Sequence, residues 1–387
     1  MKPTAILAVN SGSSTLKFGV YANEGGEERT LVKGNVDGIG KDSGKLEISN
    51  AEGTSLQSDQ APIASQQIAL SRITDELKRL GCPEPVAVGH RIVHGGPRLR
   101  DHARISPDVI AALEASVHFA PVHIPTSLEL IQHTEKIYPD LPQFACFDTA
   151  FHATLPEKAY HYPLPVKYLE QGVQRYGFHG LSYASIVHQL GVDLRPRTVV
   201  AHLGNGASLA ALRDGKSVDT SMGLTPTGGI PMSTRTGDLD PGVLLYMRRT
   251  EGLSGDELED LLNHQSGLKA LGGSNDMREL QKQASSGDAK AALAIDIFCT
   301  AIAKTVAAYA VSLGGLEMLV FAGGIGEHSA QVRAAVCSKL GLLGVELDSN
   351  RNAASESVLS SKESRVEVRI VPAQEEIQMA REVRARL

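Results

Sequence analysis

The chain of 387 residues has no tryptophan and only four cysteines, and Cys82, Cys146, Cys299 and Cys337 lie far apart with no Cys-x-x-Cys pair. That spacing signals neither a zinc site nor a disulfide framework; the expectation is buried, reduced thiols in a cytosol. An excess of positive charge is also missing, since 38 basic residues stand against 44 acidic ones. This argues against a nucleic-acid-binding surface but leaves room for a local basic cleft that takes a small phosphorylated ligand. Long apolar runs are scarce. Residues 5–9 form too short a run for a signal peptide, and residues 289–313, rich in alanine but carrying Asp296 and Lys304, read as a buried helix rather than a membrane span. The resulting expectation is a cytoplasmic protein with no nucleic-acid or membrane partner. No linker of Pro, Gly or Ser is visible. The length nevertheless calls for two domains, joined by short crossings near Asp148 and Pro372.

What is present is a repeated unit. Residues 199–212, VVAHLGNGASLAAL, read as strand, tight glycine turn, strand, and residues 5–20, AILAVNSGSSTLKFGV, follow the same plan about half a chain away. Two ordinary hairpins would look alike. Recurrence at half the chain length points instead to a duplicated domain, and turns of Gly, Ser and Asn leave backbone amides free to approach an anion.

In chain order, residues 24–59 suit surface strands and loops, and residues 65–80 have helical apolar spacing that stops at Gly81. A short strand over residues 86–88 leads to HRIVHGG, where Arg91 suits either a ligand or a surface ion pair, and His90 and His94 hold loops together. Ser106-Pro107 starts a helix over residues 108–119, ended by the segment around Pro121 and Pro125; a second helix covers residues 127–137. The strand Gln143–Phe147 delivers Asp148 at its C-terminal end, where α/β folds place catalytic groups, although a helix cap is the common alternative. His179 precedes a helix over residues 182–190, and a lone histidine there is ordinarily structural. Residues 219–241 form a long irregular segment, and Arg235, just before the helix start at Asp240-Pro241, has an anion as its natural partner. After the strand Met318–Ala322, residues 323–328 read as a glycine loop before a helix, suited to a nucleotide. The closing helix over residues 375–386 opens with Glu375 and Glu376, acids that also complement a helix dipole.

Taken together, NSGSSTLKF, HRIVHGG, FDTAFH, RYGFHG, HLGNGAS, DTSMG, TRTGDLDP, SNDMR and GGIGE resemble, in order and approximate spacing, the motifs of the acetate kinase family. That family belongs to the acetate and sugar kinase, actin and heat-shock chaperone ATPase superfamily. The resemblance implies an α/β protein of two duplicated ribonuclease H-like (actin-like ATPase) domains with a central cleft. Residues 1–149 plus the C-terminal helix 373–387 would form an acyl-substrate and phosphate domain, and 150–372 a nucleotide-binding domain. It implies reversible phosphoryl transfer from ATP to acetate, or to propionate or another short-chain carboxylate, with Mg2+ or Mn2+, in a homodimer. By position, it implies Asn10 and Glu375 at the metal, and Lys17, His202, Leu203, Gly204, Asn205 and Gly206 at the ATP phosphates. Asp276, Met277, Arg278, Gly324, Ile325, Gly326 and Glu327 fall at the adenosine. Arg91 corresponds to the ligand of the acceptor carboxylate, His179 and Arg235 to the groups that stabilise the transferred phosphoryl, and Asp148 to the catalytic aspartate. Val93, Val122, Phe178 and Pro226 correspond to the acyl pocket, and His123 to an active-site histidine. Because a carboxylic acid is already ionised at neutral pH, no general base is required, and Asp148 is expected to orient the metal and Arg91 or Arg235. Departures from the family pattern fall at Thr15, Ile124, the segment LTPTGGIPMS before Arg235, and Pro372-Ala373-Gln374 before the glutamates.

Overall fold

The computed structural model describes residues 4–12, 14–121 and 123–387, so the expectation for Val122 lies outside the described residues. Contacts divide the chain into two units. The first holds the chain up to Ala150, Gly180–Ser185 and Gln374–Leu387; the second holds Phe151–His179 and Ile186–Ala373.

The first unit is built on β1 (Ala5–Ser11), β2 (Thr15–Glu24), β3 (Glu27–Asp37), β4 (Gly44–Asn50), β5 (Ser55–Ala61), β6 (Pro85–Ile92), β7 (Ala103–Arg104) and β8 (Gln143–Phe147). They form one sheet in the order β5-β4-β3-β2-β1-β6-β8-β7. The second unit holds β9 (Arg197–Leu203), β10 (Ala207–Arg213), β11 (Lys216–Thr220), β12 (Met318–Ala322) and β13 (Glu367–Ile370), in the order β11-β10-β9-β12-β13. Within the larger sheet, β3-β2-β1-β6-β8 repeats the plan of the smaller one. In each, a strand lies between an antiparallel meander on one side and two parallel strands on the other. Each unit is therefore ribonuclease H-like, and the two glycine hairpins are its first two strands.

Strand β1 is apolar at successive positions because both its faces are covered. Ala5, Leu7 and Val9 point into a core shared with Leu70, Ile73 and Leu130, from the helices Gln66–Arg79 and Ile124–Ile137. Ile6 and Ala8 point the other way, against Met379, Ala380 and Val383 of the helix Glu375–Arg384. Gly89 in β6 allows that docking, since a Cβ there would lie 2.9 Å from Val383 Cγ2. In the second unit the helix Ala289–Leu313 lies on β9 and β10 and buries Phe298, Ile302 and Val306. By length and composition this helix could cross a membrane, and one side of it packs on the sheet.

Several boundaries differ from those expected. β6 runs to Ile92, which places Arg91 inside a strand. The helix begun at Pro107 ends at Glu114, and a separate 3-10 turn covers Val117–Phe119. Pro125, read as a terminator, sits in the first turn of Ile124–Ile137, where a missing N–H costs nothing. Residues 24–59 are more than surface, because Val32, Val36, Leu46 and Ile48 of β3 and β4 enter the core. Residues 323–328 do not form a glycine loop: the helix Gly323–His328 starts directly after β12, and Glu327 accepts from its first N–H, that of Gly323, at 2.8 Å.

Candidate active site

In each unit, residues from the quoted motifs gather into a polar cluster. In the first, β6 and β8 are parallel neighbours with Ile92 opposite Phe147, so Arg91 and Asp148 emerge side by side at the C-terminal ends of two strands. Arg91 donates from Nε to Asp148 Oδ1 at 2.8 Å and from Nη2 to Oδ2 at 2.5 Å, a forked pair. The Asp148 side chain is 2% exposed and that of Arg91 17%. With both oxygens taken by the guanidinium, Asp148 is not a helix cap. Arg91 Nη1 also donates to Asn10 Oδ1 at 3.1 Å, while Asn10 Nδ2 donates to Glu375 Oε2 at 3.2 Å and Glu376 Oε1 at 2.8 Å. Burial works against the charge of Arg91, but Asp148, Glu375 and Glu376 outweigh it and hold the guanidinium pKa above its ordinary value. Lys17 is exposed and lies across the hairpin from Asn10.

The rest of HRIVHGG serves the chain itself. His94 Nδ1 accepts from Gly96 N at 2.8 Å, and a Cβ on Gly95 would collide with the Leu99 carbonyl, so the paired glycines make a tight turn. Val93 is buried beside this turn, and His123 sits half-buried at the start of the helix Ile124–Ile137.

The second cluster is cationic. His179 occupies the left-handed region at φ 58°, a strained conformation for a residue with a side chain, immediately before the helix Gly180–Leu190. Its Nδ1 meets the Ser208 hydroxyl at 2.8 Å, and its ring stacks on His202 with centroids 4.4 Å apart. Gly206 then explains itself. A Cβ there would stand 3.2 Å from His179 Nε2 and 3.5 Å from Arg235 Nη1, so both groups border the space that the glycine leaves open. Arg235 Nη1 donates to the Pro226 carbonyl at 3.1 Å, and Ser233 N donates to the Asn205 carbonyl at 3.2 Å, which ties the 221–240 segment to the glycine turn. Leu203 is fully buried as the last residue of β9, and Gly204 N donates to Gly206 O at 3.1 Å. Phe178 is buried, and its carbonyl meets buried His152 at 3.0 Å.

Farther along the second unit, Asp276 caps the helix Met277–Ser285 and holds exposed Arg278 by a forked pair at 2.6 to 3.2 Å. The side-chain bond from Arg278 pulls the Asp276 pKa down to about 2. Met277 is buried. Gly324 is exposed with open space where a Cβ would stand, Ile325 is half-buried, and Gly326 is buried against β12. The Glu327 carboxylate is occupied internally, accepting from Gly323 N and, at 3.1 Å, from Ala373 N.

Of the residues expected at an acyl pocket, Val93 belongs to the first unit and Phe178 and Pro226 to the second. Three contributors escaped the residue-by-residue reading: Ser208, which orients His179; Glu376, which shares Asn10 with Glu375; and His152, which holds the Phe178 carbonyl. Ser208 and His152 lie within quoted motifs and Glu376 at the head of the closing helix, but no sequence pattern tells which polar side chain turns inward.

For a metal, the described residues contain no group of three or more His, Cys, Asp or Glu able to hold an ion by themselves. Mg2+ does not need one: it commonly takes one or two carboxylates and completes its shell with water and substrate phosphates. The oxygen-only set Asn10, Glu375 and Glu376, with three carboxylates gathered around the one guanidinium of Arg91, suits such a hard cation. Asn10 turns its oxygen to Arg91 and its nitrogen to the glutamates, and that oxygen keeps a second lone pair with which it could ligate a cation.

Residues 5–381 match the model of the acetokinase family. The chain is 38% identical to the acetate kinase of Carboxydothermus hydrogenoformans, over 97% of this chain and 98% of that one. It is 40% identical to the propionate kinase of Citrobacter rodentium, over 98% and 96%. The crystal structure of Porphyromonas gingivalis acetate kinase superposes with a TM-score of 0.88 at 36% identity, covering 99% of both chains. Motif order, duplicated fold and full-length similarity agree, and the chain belongs to the acetokinase family.

Proposed function

We propose that this protein transfers the γ-phosphoryl group of ATP to acetate, reversibly, giving acetyl phosphate and ADP. The observation that carries the reading is the forked Arg91–Asp148 pair. An alcohol or water acceptor needs a base to take its proton, and both oxygens of Asp148 are committed to Arg91. A carboxylate acceptor is already ionised at neutral pH and needs no base. Asp148 is then an orienting group. Arg91 uses three of its five N–H donors within the protein, and the remaining two are available to the acceptor carboxylate.

The transition state of phosphoryl transfer spreads negative charge over equatorial oxygens, and stabilisation comes from positioned donors and positive charge. His179 and Arg235 fill that role beside Gly206, the glycine turn and Lys17 bind the phosphates, and the regions of Asp276–Arg278 and Gly324–Glu327 take the nucleoside. Mg2+, with Mn2+ as the alternative, would be held by Glu375, Asn10 and phosphate oxygens and supplies positive charge to those oxygens. A coupled ADP assay with and without acetate tests the reaction. ADP release must require acetate; equal release in its absence, as from a phosphatase or ATPase, overturns the reading.

Acetate is the preferred acid, propionate the second and butyrate a poor one. Relatives of similar identity bear both acetate kinase and propionate kinase names, and in this reading the size of the acyl pocket sets the preference. One methylene in a small apolar pocket is worth about 1 to 3 kcal/mol, and discrimination should be graded. Comparison of kcat/KM for the three acids checks this; butyrate matching acetate overturns it.

We further propose a cytoplasmic homodimer. Support for the dimer comes from the helices Pro241–Thr250 and Gly255–His264, which bury no residue within the chain and expose Leu245 and Tyr246. Light scattering should give twice the mass of the 41.1 kDa chain. Support for the location comes from the free, buried thiols of Cys146, Cys299 and Cys337. Fractionation of cells tests it.

A further inference from the structure

We propose that His102 is a positioning residue for Asp148, held in place by Glu382 and Arg386 at the end of the chain. The proposal rests on the assignment of Asp148 and Arg91 to the reacting site.

Strand β7 has only two residues, with Ala103 opposite Ala145 and Arg104 opposite Phe144 of β8. Continued in that antiparallel register, Asp101 would face Phe147 and accept its N–H. The ladder stops first. The Phe147 N–H instead donates to the His102 ring at Nδ1, 3.0 Å away, so an imidazole replaces the missing carbonyl of the edge strand. Phe147 directly precedes Asp148. On the far side, Asp148 N donates to Ile92 O at 3.0 Å and Asp148 O accepts from Gly180 N at 2.8 Å. The peptide that aims the carboxylate at Arg91 is therefore pinned at three points, and His102 is the only side chain among them.

Accepting at Nδ1 requires the neutral ring with its proton on Nε2, and Nε2 faces Glu382 Oε2 at 3.9 Å. Burial lowers the His102 pKa, with Glu382 and Asp101 opposing and Arg386 assisting, so the neutral form is favoured. Arg386 fixes the arrangement. Its Nη1 donates to Glu382 Oε2 at 2.7 Å, its Nη2 to Asp101 Oδ1 at 2.8 Å and its Nε to the His102 carbonyl at 3.0 Å, while Asp101 Oδ1 also accepts from His102 N at 2.7 Å. Glu382 lies in the helix whose first residues, Glu375 and Glu376, hold Asn10. One helix thus reaches the cluster from both its ends, through Asn10 and through His102.

The test uses amides that mimic one ring nitrogen each. In His102→Asn the amide oxygen can stand near the place of Nδ1; in His102→Gln it reaches toward that of Nε2. His102→Ala and His102→Gln should lower kcat by about 10- to 100-fold, the scale of a small misplacement of a reacting group, with the ATP KM unchanged. His102→Asn should recover most of that loss. Equal activity of the Asn and Gln variants, or a lowered Tm with kcat of the folded enzyme intact, overturns the proposal. Should His102→Ala fail to fold, the Asn and Gln pair and the ring 15N spectrum of the unaltered enzyme decide; a ring protonated on Nδ1 at neutral pH overturns it. Asp148→Asn is measured in parallel. Full activity there defeats the assignment of Asp148, whereas an inactive Asp148→Asn beside fully active His102 variants defeats only the role of His102.

Discussion

The hairpins β1–β2 and β9–β10 occupy the same place in two sheets of the same plan, yet they are surrounded by opposite chemistry. Around Asn10 the chain gathers three carboxylates and one guanidinium. Around Gly206 it gathers His179 and Arg235, with His202 stacked behind. The difference shows what duplication preserves: a strand, a tight turn and a second strand, which any side chains can decorate. The first copy suits a cation and an orienting arginine. The second suits the negative charge of a phosphoryl group in transit.

Removing the cation of the second cluster should have the largest effect. Arg235→Ala is expected to keep ATP affinity and to lose about 10³-fold or more in kcat, as for other arginines that stabilise phosphoryl transfer. Turnover kept at a third of the original would erase the contrast between the clusters.

In the first cluster, Arg91→Ala leaves a buried carboxylate without its partner and should cost about 3 kcal/mol of stability. It should also raise the acetate KM while ATP affinity barely moves, since only the acceptor loses a ligand. Denaturant unfolding and calorimetric titration of both ligands check this; equal loss of ATP binding would place Arg91 with the nucleotide.

Gly206→Ala sharpens the comparison from the backbone side. Its new Cβ would press on His179 Nε2 and Arg235 Nη1, displacing both, and kcat should fall by about 10²-fold at little cost in stability. Gly12, the counterpart in the first hairpin, has Thr15 Oγ1 rather than a histidine and an arginine near its missing Cβ, so the same change there should spare the Arg235 cluster.

The smallest effect appears only in acid. Burial pulls the pKa of His90 down to about 4, with the bond to Gln143 opposing. As pH falls from its unfolded pKa of 6.5 toward 4, the unfolded chain binds the proton first. The stability contributed by neutral His90 is therefore present above pH 6.5 and is lost through that window, by about 2 to 3 kcal/mol. Urea midpoints across it should flatten in His90→Leu; an unchanged slope refutes the assignment.

Much of this was legible in the chain itself. Both hairpins, the strands Gln143–Phe147 and Met318–Ala322 and the helix Ala289–Leu313 follow from apolar periodicity and glycine punctuation, which are local properties. The helix at Gly323–His328 is not legible in the sequence, because its start is secured by the Glu327 side chain, a contact that composition does not reveal. Pro125 misled for a related reason: proline ends one helix and begins another with the same chemistry.

Sequence by itself determined the family, the duplicated hairpins and the set of polar motifs, because order and spacing along a chain survive without coordinates. Only tertiary structure decided that both oxygens of Asp148 belong to Arg91, that Ser208 orients His179, and that His102 stands in for an edge strand at Phe147. Those pairings join residues 29 to 57 positions apart. Their geometry is set by strand register and by which face of a strand a side chain leaves, and neither quantity is written in any local run of residues.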